Sequence, residues 1–114
     1  MDIETIQNIC SKFPGVTEDI KWENHLCFCV AEKMFLIVGL DENAVTASFK
    51  VSDEEFDEIS SREGFKPAPY MARNKWVFAD DINRMNRKEW QQRAASAYEI
   101  IKSKLPKKTQ TALK

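Results

Sequence analysis

Residues 25–51 read HLCFCVAEKMFLIVGLDENAVTASFKV, three apolar runs separated by two short polar breaks. The run His25–Val30 predicts a strand, Ala31-Glu32-Lys33 a turn, and Met34–Val38 a second strand that Gly39 ends. Asp41-Glu42-Asn43 predicts the next turn, and Val45–Val51 a third strand. That third run alternates cleanly. Val45, Ala47, Phe49 and Val51 share one face, and Thr46, Ser48 and Lys50 the other. Successive side chains on a strand point to opposite sides, so this is the pattern of a sheet buried on one face and wet on the other. Strands joined by such short turns form an antiparallel meander.

Towards the N-terminus, Ile3, Ile6, Ile9, Cys10 and Phe13 fall at helical spacing. Asp2 can cap this helix and Pro14-Gly15 ends it. The acidic stretch around Glu18 and Asp19 then leads to Trp22 with no element assigned. Towards the C-terminus, Ser52-Asp53-Glu54-Glu55 is a capping box that opens a short helix with Phe56 and Ile59 turned inward. Gly64 ends it. Phe65–Tyr70 holds Pro67 and Pro69, which cannot donate to a ladder, so it reads as an edge strand or an approach to one. A turn at Arg73-Asn74 leads into the strand Lys75–Ala79, and a loop follows from Asp80-Asp81. Asn86 can cap the last helix, whose stripe is Trp90, Ala94, Ala97, Tyr98, Ile101 and Leu105. Pro106 stops it, and Lys107–Lys114 reads as a basic, disordered tail. The expected order is α-β-β-β-α-β-β-α. It describes one α+β domain over residues 1–106, two layers deep, with helices on one face of an antiparallel sheet.

Composition is compatible with that fold. Of 114 residues, 43% are apolar, enough for a chain this size to bury roughly 65% of its unfolded surface. No apolar run approaches the roughly 20 residues of a membrane span. The start Met1-Asp2-Ile3-Glu4 is acidic rather than signal-like, so the cytoplasm is the expected address and no membrane partner is expected. The cysteines, Cys10, Cys27 and Cys29, are odd in number, and free thiols in a reducing compartment are the simple account.

A net charge of −1 hides an asymmetry. Residues 1–82 hold 8 basic and 16 acidic side chains, whereas residues 83–114 hold 9 basic and 2 acidic. The first part is therefore −8 and the last +7. Such a split suits an anionic partner for the C-terminal part, or a basic helix neutralised by the acidic remainder.

Several fragments together resemble the MmcQ/YjbR family of small bacterial proteins. They begin with Phe13-Pro14-Gly15, Glu18 and Trp22, then Phe28-Cys29-Val30 with Lys33-Met34-Phe35. Phe49-Lys50-Val51, Pro67-Ala68-Pro69-Tyr70 and Trp76-Val77 follow, and Ala97-Tyr98 and Lys104-Leu105-Pro106-Lys107 complete the series. The chain departs from the family pattern at Ala97, where Ser is commoner, and in the polar loop Asn83–Arg87. The resemblance implies a two-layer fold similar to secretion chaperones and frataxin-like proteins. It also implies DNA binding, no cofactor and no enzymatic activity.

The residues themselves offer little chemistry. His25, Cys27 and Cys29 lie on one strand face, spread over about 13 Å at 3.3 Å per residue, which makes a poor chelate. His25 is the only histidine, and no nucleophile elbow or phosphate-cradling glycine loop accompanies it. The carboxylates of Asp53–Glu58 suit a helix N-terminus, and Asp80-Asp81 lacks the spacing of a calcium loop. Candidate nucleic-acid contacts are Lys33, Lys50, Arg73 and Lys75 on the hairpins, with Lys104 and Lys107 at the C-terminal end. Tyr70 and Trp76 are candidates for a partner groove. The alternative expectation is a protein-interaction or chaperone-like module. It would pair a protein partner, or a second copy of the chain, on the exposed sheet face with Thr46, Ser48 and Lys50.

Overall fold

The computed structural model describes residues 1–40, 43–69 and 71–113. The expected turn at Asp41–Asn43 therefore falls partly outside the described residues, and Tyr70 wholly so. Helix α1 (Ile3–Ser11) is followed by four strands, β1 (Val16–Lys21), β2 (His25–Val30), β3 (Lys33–Leu40) and β4 (Val45–Lys50). Then come α2 (Asp53–Ser60), β5 (Phe65–Pro67), β6 (Trp76–Ala79), α3 (Arg87–Ser103) and α4 (Lys107–Ala112). The sheet is antiparallel, in the order β1-β2-β3-β4-β6-β5. The fold is α+β, with helices α1, α2 and α3 packed on one sheet face.

Two elements correct the expected order. The stretch left unassigned, Val16–Lys21, is strand β1, paired with β2 from Val16↔Val30 to Lys21↔His25. It is an outer edge, and Glu18, Asp19 and Lys21 put charge along it, which discourages pairing with another chain. The supposed disordered tail contains α4. Its Gln110 Nε2 donates to the carbonyls of Leu105 (2.7 Å) and Ser103 (3.4 Å), both left open at the end of α3. Leu113 then packs against the core, over Gly15. Gly15 has φ +76°, and a Cβ there would run into Leu113, so both backbone and packing call for glycine.

Local chemistry explains the other boundaries. The side chains of Asp2, Ser52 and Asn86 accept from the backbone N–H three residues on, capping α1, α2 and α3. In the capping box the Ser52 hydroxyl also donates to Glu55 (2.9 Å). Strand β3 does not stop at Gly39. It continues to Leu40, and Gly39 is tolerated because a side chain there would collide with Thr46 Oγ1 on β4. The β1–β2 connection is a three-residue turn, Trp22–Asn24, with positive φ at Trp22 and Glu23, and the β2–β3 connection is a two-residue turn with positive φ at both Ala31 and Glu32. The latter is the primed-turn geometry that matches strand twist, here without the usual glycine.

Between Phe28 and Cys29 the partner on β3 jumps from Leu36 to Met34. The bulge leaves Phe35 as the extra residue, so Phe35 and Leu36 both enter the main core. That core lies between sheet and helices and includes Phe28, Phe49, Trp90 and Tyr98. Two long-range hydrogen bonds pin it. Trp90 Nε1 donates to the Ile82 carbonyl (2.8 Å), and the Tyr98 hydroxyl donates to the Pro14 carbonyl (2.6 Å).

The other sheet face is not the open surface expected. A second apolar cluster of Cys27, Cys29, Ile37, Ala68 and Trp76 sits there, with Met34, Met71 and Phe78 packed against it. The segment after β5 folds over the sheet and brings Ala68 and Met71 onto it. The Ala68 N–H bonds to the Trp76 carbonyl at 3.0 Å. No helix among the described residues is long and apolar enough to cross a membrane.

Candidate functional site

Lys50 ends β4 opposite Trp76, the first residue of β6. Strand alternation puts both on the face away from the helices. The expectation of an exposed Lys50 is wrong: the residue is only 5% exposed. The reason is that the chain from Met71 to Asn74 closes over the sheet end, and the Lys50 ammonium donates to the Asn74 carbonyl. Burial, then the nearby charges of Lys104 and Lys75, hold its pKa below the ordinary lysine value. Asp53 acts in the opposite direction and is outweighed.

Around Lys50 lies a cavity of about 370 Å³. Lys33 reaches it from the start of β3, Trp76 from β6, and Ile101, Lys104 and Leu105 from the C-terminal end of α3 and just beyond. Met34 and Met71 complete its apolar wall. Three lysines from three different elements therefore meet, and among the described residues no carboxylate lines the cavity. The carbonyl end of α3 is a weakly negative neighbour, and Gln110 blunts it by donating to the Ser103 carbonyl and to that of Leu105 just beyond. Lys33 and Lys104 are exposed and Lys50 is not, so two solvated cations stand at the mouth of a site with a buried one inside.

The remaining candidates lie close by but outside this cavity. Arg73 is exposed on the short 3₁₀ turn Ala72–Asn74, whose last residue lines the cavity. Lys75 follows in the left-handed conformation (φ 61°) and lays its ammonium 4.9 Å from the centre of the Phe56 ring. Lys107 begins α4 and is exposed, away from the lining. Trp76 is 5% exposed, so it serves as a wall rather than a platform. Tyr70 lies outside the described residues.

A second, more apolar cavity of about 490 Å³ adjoins the first and shares Met34 and Met71 with it. Trp22, His25, Ile37, Ser48, Pro69 and Phe78 line the rest. Sequence reasoning did not select Trp22, yet it is 62% exposed. Its ring stands almost perpendicular to that of His25, 5.8 Å away. The signal that could have found it was the missed strand β1, which turns this residue from a loop position into a hairpin tip. The thiols of His25's strand are buried, and burial raises the pKa of both Cys27 and Cys29. Burial, with Glu18 nearby, pushes the Cys10 thiol up to about 12.

A family model for YjbR matches residues 11–100. The chain belongs to the YjbR family. The match runs from the end of α1 through most of α3, so it contains the whole sheet and the strand-borne residues of both cavities. Among curated proteins none matches this YjbR-family chain. Two solved structures share its fold. A Deinococcus radiodurans protein, DR2400, described with a DUF419 domain, superposes with TM-score 0.86 at 16% identity. The alignment covers 97% of this chain and 86% of that one. A Pseudomonas syringae protein gives TM-score 0.71 at 16% identity, covering 88% of this chain and 98% of that one.

Proposed function

We propose that this YjbR-family protein is a non-enzymatic binding module that holds DNA by its phosphate backbone at the lysine-lined cavity. The observation carrying this reading is the meeting of Lys33, Lys50 and Lys104 at one sheet end, with no carboxylate in the lining among the described residues. A cluster of ammonium groups in which Asp53 only partly offsets the charge, one of them buried, gains most from a bound anion that supplies the missing charge. Arg73, Lys75 and Lys107 extend the positive field around the mouth and suit the neighbouring phosphates of a polyanion. The non-enzymatic part is supported by the thiols. The thiolate is the reactive form, and burial drives all three cysteines towards the neutral thiol. The competing reading, a protein-interaction module on the open sheet face, loses support because Ala68, Pro69, Met71 and Asn74 already lie on that face.

The test is fluorescence anisotropy with a labelled oligonucleotide over a salt series. Binding is expected to weaken steeply as salt rises, and Lys33→Glu or Lys104→Glu to weaken it further at low salt. Each reversal should also reduce the magnitude of the log–log salt slope by about 1. Absence of binding at low salt, or binding indifferent to salt and to both reversals, would overturn the reading.

A further inference from the structure

The two adjoining cavities differ in chemistry. The first is cationic, and the second presents Trp22, Pro69, Phe78 and Met71, with His25 and Ser48 as its only polar lining among the described residues. The methionines Met34 and Met71 form a common wall, so one occupant can lie across both. Such an occupant must carry an anion joined, over a short distance, to a flat apolar body. Trp22 fits the second half of that description. A tryptophan 62% exposed at the rim of an apolar cavity leaves a large aromatic surface unused. Across the sheet, the Lys66 ammonium sits 5.2 Å from the centre of the Phe78 ring, placing a further cation beside the apolar wall.

We infer that the two cavities together take one nucleotide unit of a single-stranded nucleic acid. The phosphate sits among Lys33, Lys50 and Lys104, and the unstacked base enters between Trp22, Pro69 and Phe78. This inference rests on the phosphate-binding reading above and adds which form of nucleic acid the site prefers. Duplex DNA keeps its bases stacked, and extracting one costs a few kcal/mol, whereas a single strand offers bases already free. Stacking on an aromatic side chain works with any base because every base has a flat face. With so few polar groups in the apolar cavity, little discrimination among bases is expected.

The experiment compares a labelled 12-nucleotide oligothymidine with a duplex of the same length, using the full chain in low salt and following anisotropy and tryptophan fluorescence. The single strand is expected to bind about tenfold more tightly and to quench tryptophan emission. Trp22→Ala should remove most of that preference and most of the quenching. Its salt slope should stay at the wild-type value, because no phosphate contact is lost. Trp22→Phe, which keeps a ring, should retain most of the preference, and melting curves of both variants should overlay the wild type. Equal affinity for the two forms, with no effect of Trp22→Ala but continued sensitivity to Lys104→Glu, overturns this inference and leaves the phosphate reading standing. Failure of both oligonucleotides to bind overturns the two together.

Discussion

Lys50 shows how a single residue can be costly to the fold and useful to the site. A lysine 5% exposed, with one hydrogen bond to a carbonyl and no ion pair among the described residues, keeps its charge at a price in desolvation. Lys50→Met keeps the length and volume while removing the charge. It is expected to be neutral or to stabilise by up to about 1 kcal/mol in urea unfolding, while weakening oligonucleotide binding. A marked loss of stability would show that the Asn74 contact outweighs the burial. The pH dependence has a definite sign. Because the folded state lowers the Lys50 pKa, the unfolded chain holds more protons between that lowered value and 10.5. Stability gains from this residue as pH rises through that window. Anion affinity, which needs the ammonium, falls across the same window. At the opposite pole is Tyr98, whose hydroxyl ties α3 to Pro14, 84 positions away. Tyr98→Phe leaves the packing with Phe13 and Phe35 intact and strands the Pro14 carbonyl. Equilibrium unfolding should show a loss of about 1 kcal/mol.

Among the elements, β1 and α4 are the ones the sequence concealed, and for related reasons. Strands and helices announce themselves through the periodicity of what they bury. In β1 only Val16 joins the core, while Thr17, Glu18, Asp19 and Ile20 are exposed. In α4 every residue is polar or small except its neighbour Leu113. Leu113 is therefore the anchor of the C-terminal segment, and Gly15 its seat. Gly15→Ala is expected to destabilise by about 1–2 kcal/mol, from left-handed strain plus the collision with Leu113. Leu113→Ala should cost about 1 kcal/mol, since the side chain is half-buried. The double variant should cost less than the sum, because the collision disappears while the strain stays. Strict additivity in a thermodynamic cycle would mean that the two residues do not touch. By contrast β2, β3, β4 and β6, α2 and α3 were all legible, each with a buried stripe and, for the helices, a capping side chain.

Over the whole molecule the charge asymmetry divides by residue type. Three of the five arginines are drawn into ion pairs. Arg62 meets Glu89 at 3.2 Å, Arg84 meets Asp80 at 2.9 Å, and Arg93 meets Glu55 at 3.0 Å, two of these joining α3 to α2 or the loop after it. Asp80 and Glu55 neutralise part of the basic C-terminal third in this way, as the simpler account of its charge supposed. The lysines Lys33, Lys50 and Lys104 are left facing one cavity. The amino-acid order alone was enough to indicate the two-layer α+β class, the main core and the family, because hydrophobic periodicity, caps and turn residues are local signals. Lys33, Lys50 and Lys104 were also among the cations it offered as candidates. Tertiary structure alone decided which of them meet, since Lys33, Lys50 and Lys104 are brought together only by strand register and by the crossing of α3 over the sheet. It also buried Lys50 and adjoined an apolar cavity to the cationic one. Both follow from Ala68, Pro69 and residues 71–74 folding back on the sheet, a long-range packing choice that no local pattern in the chain encodes.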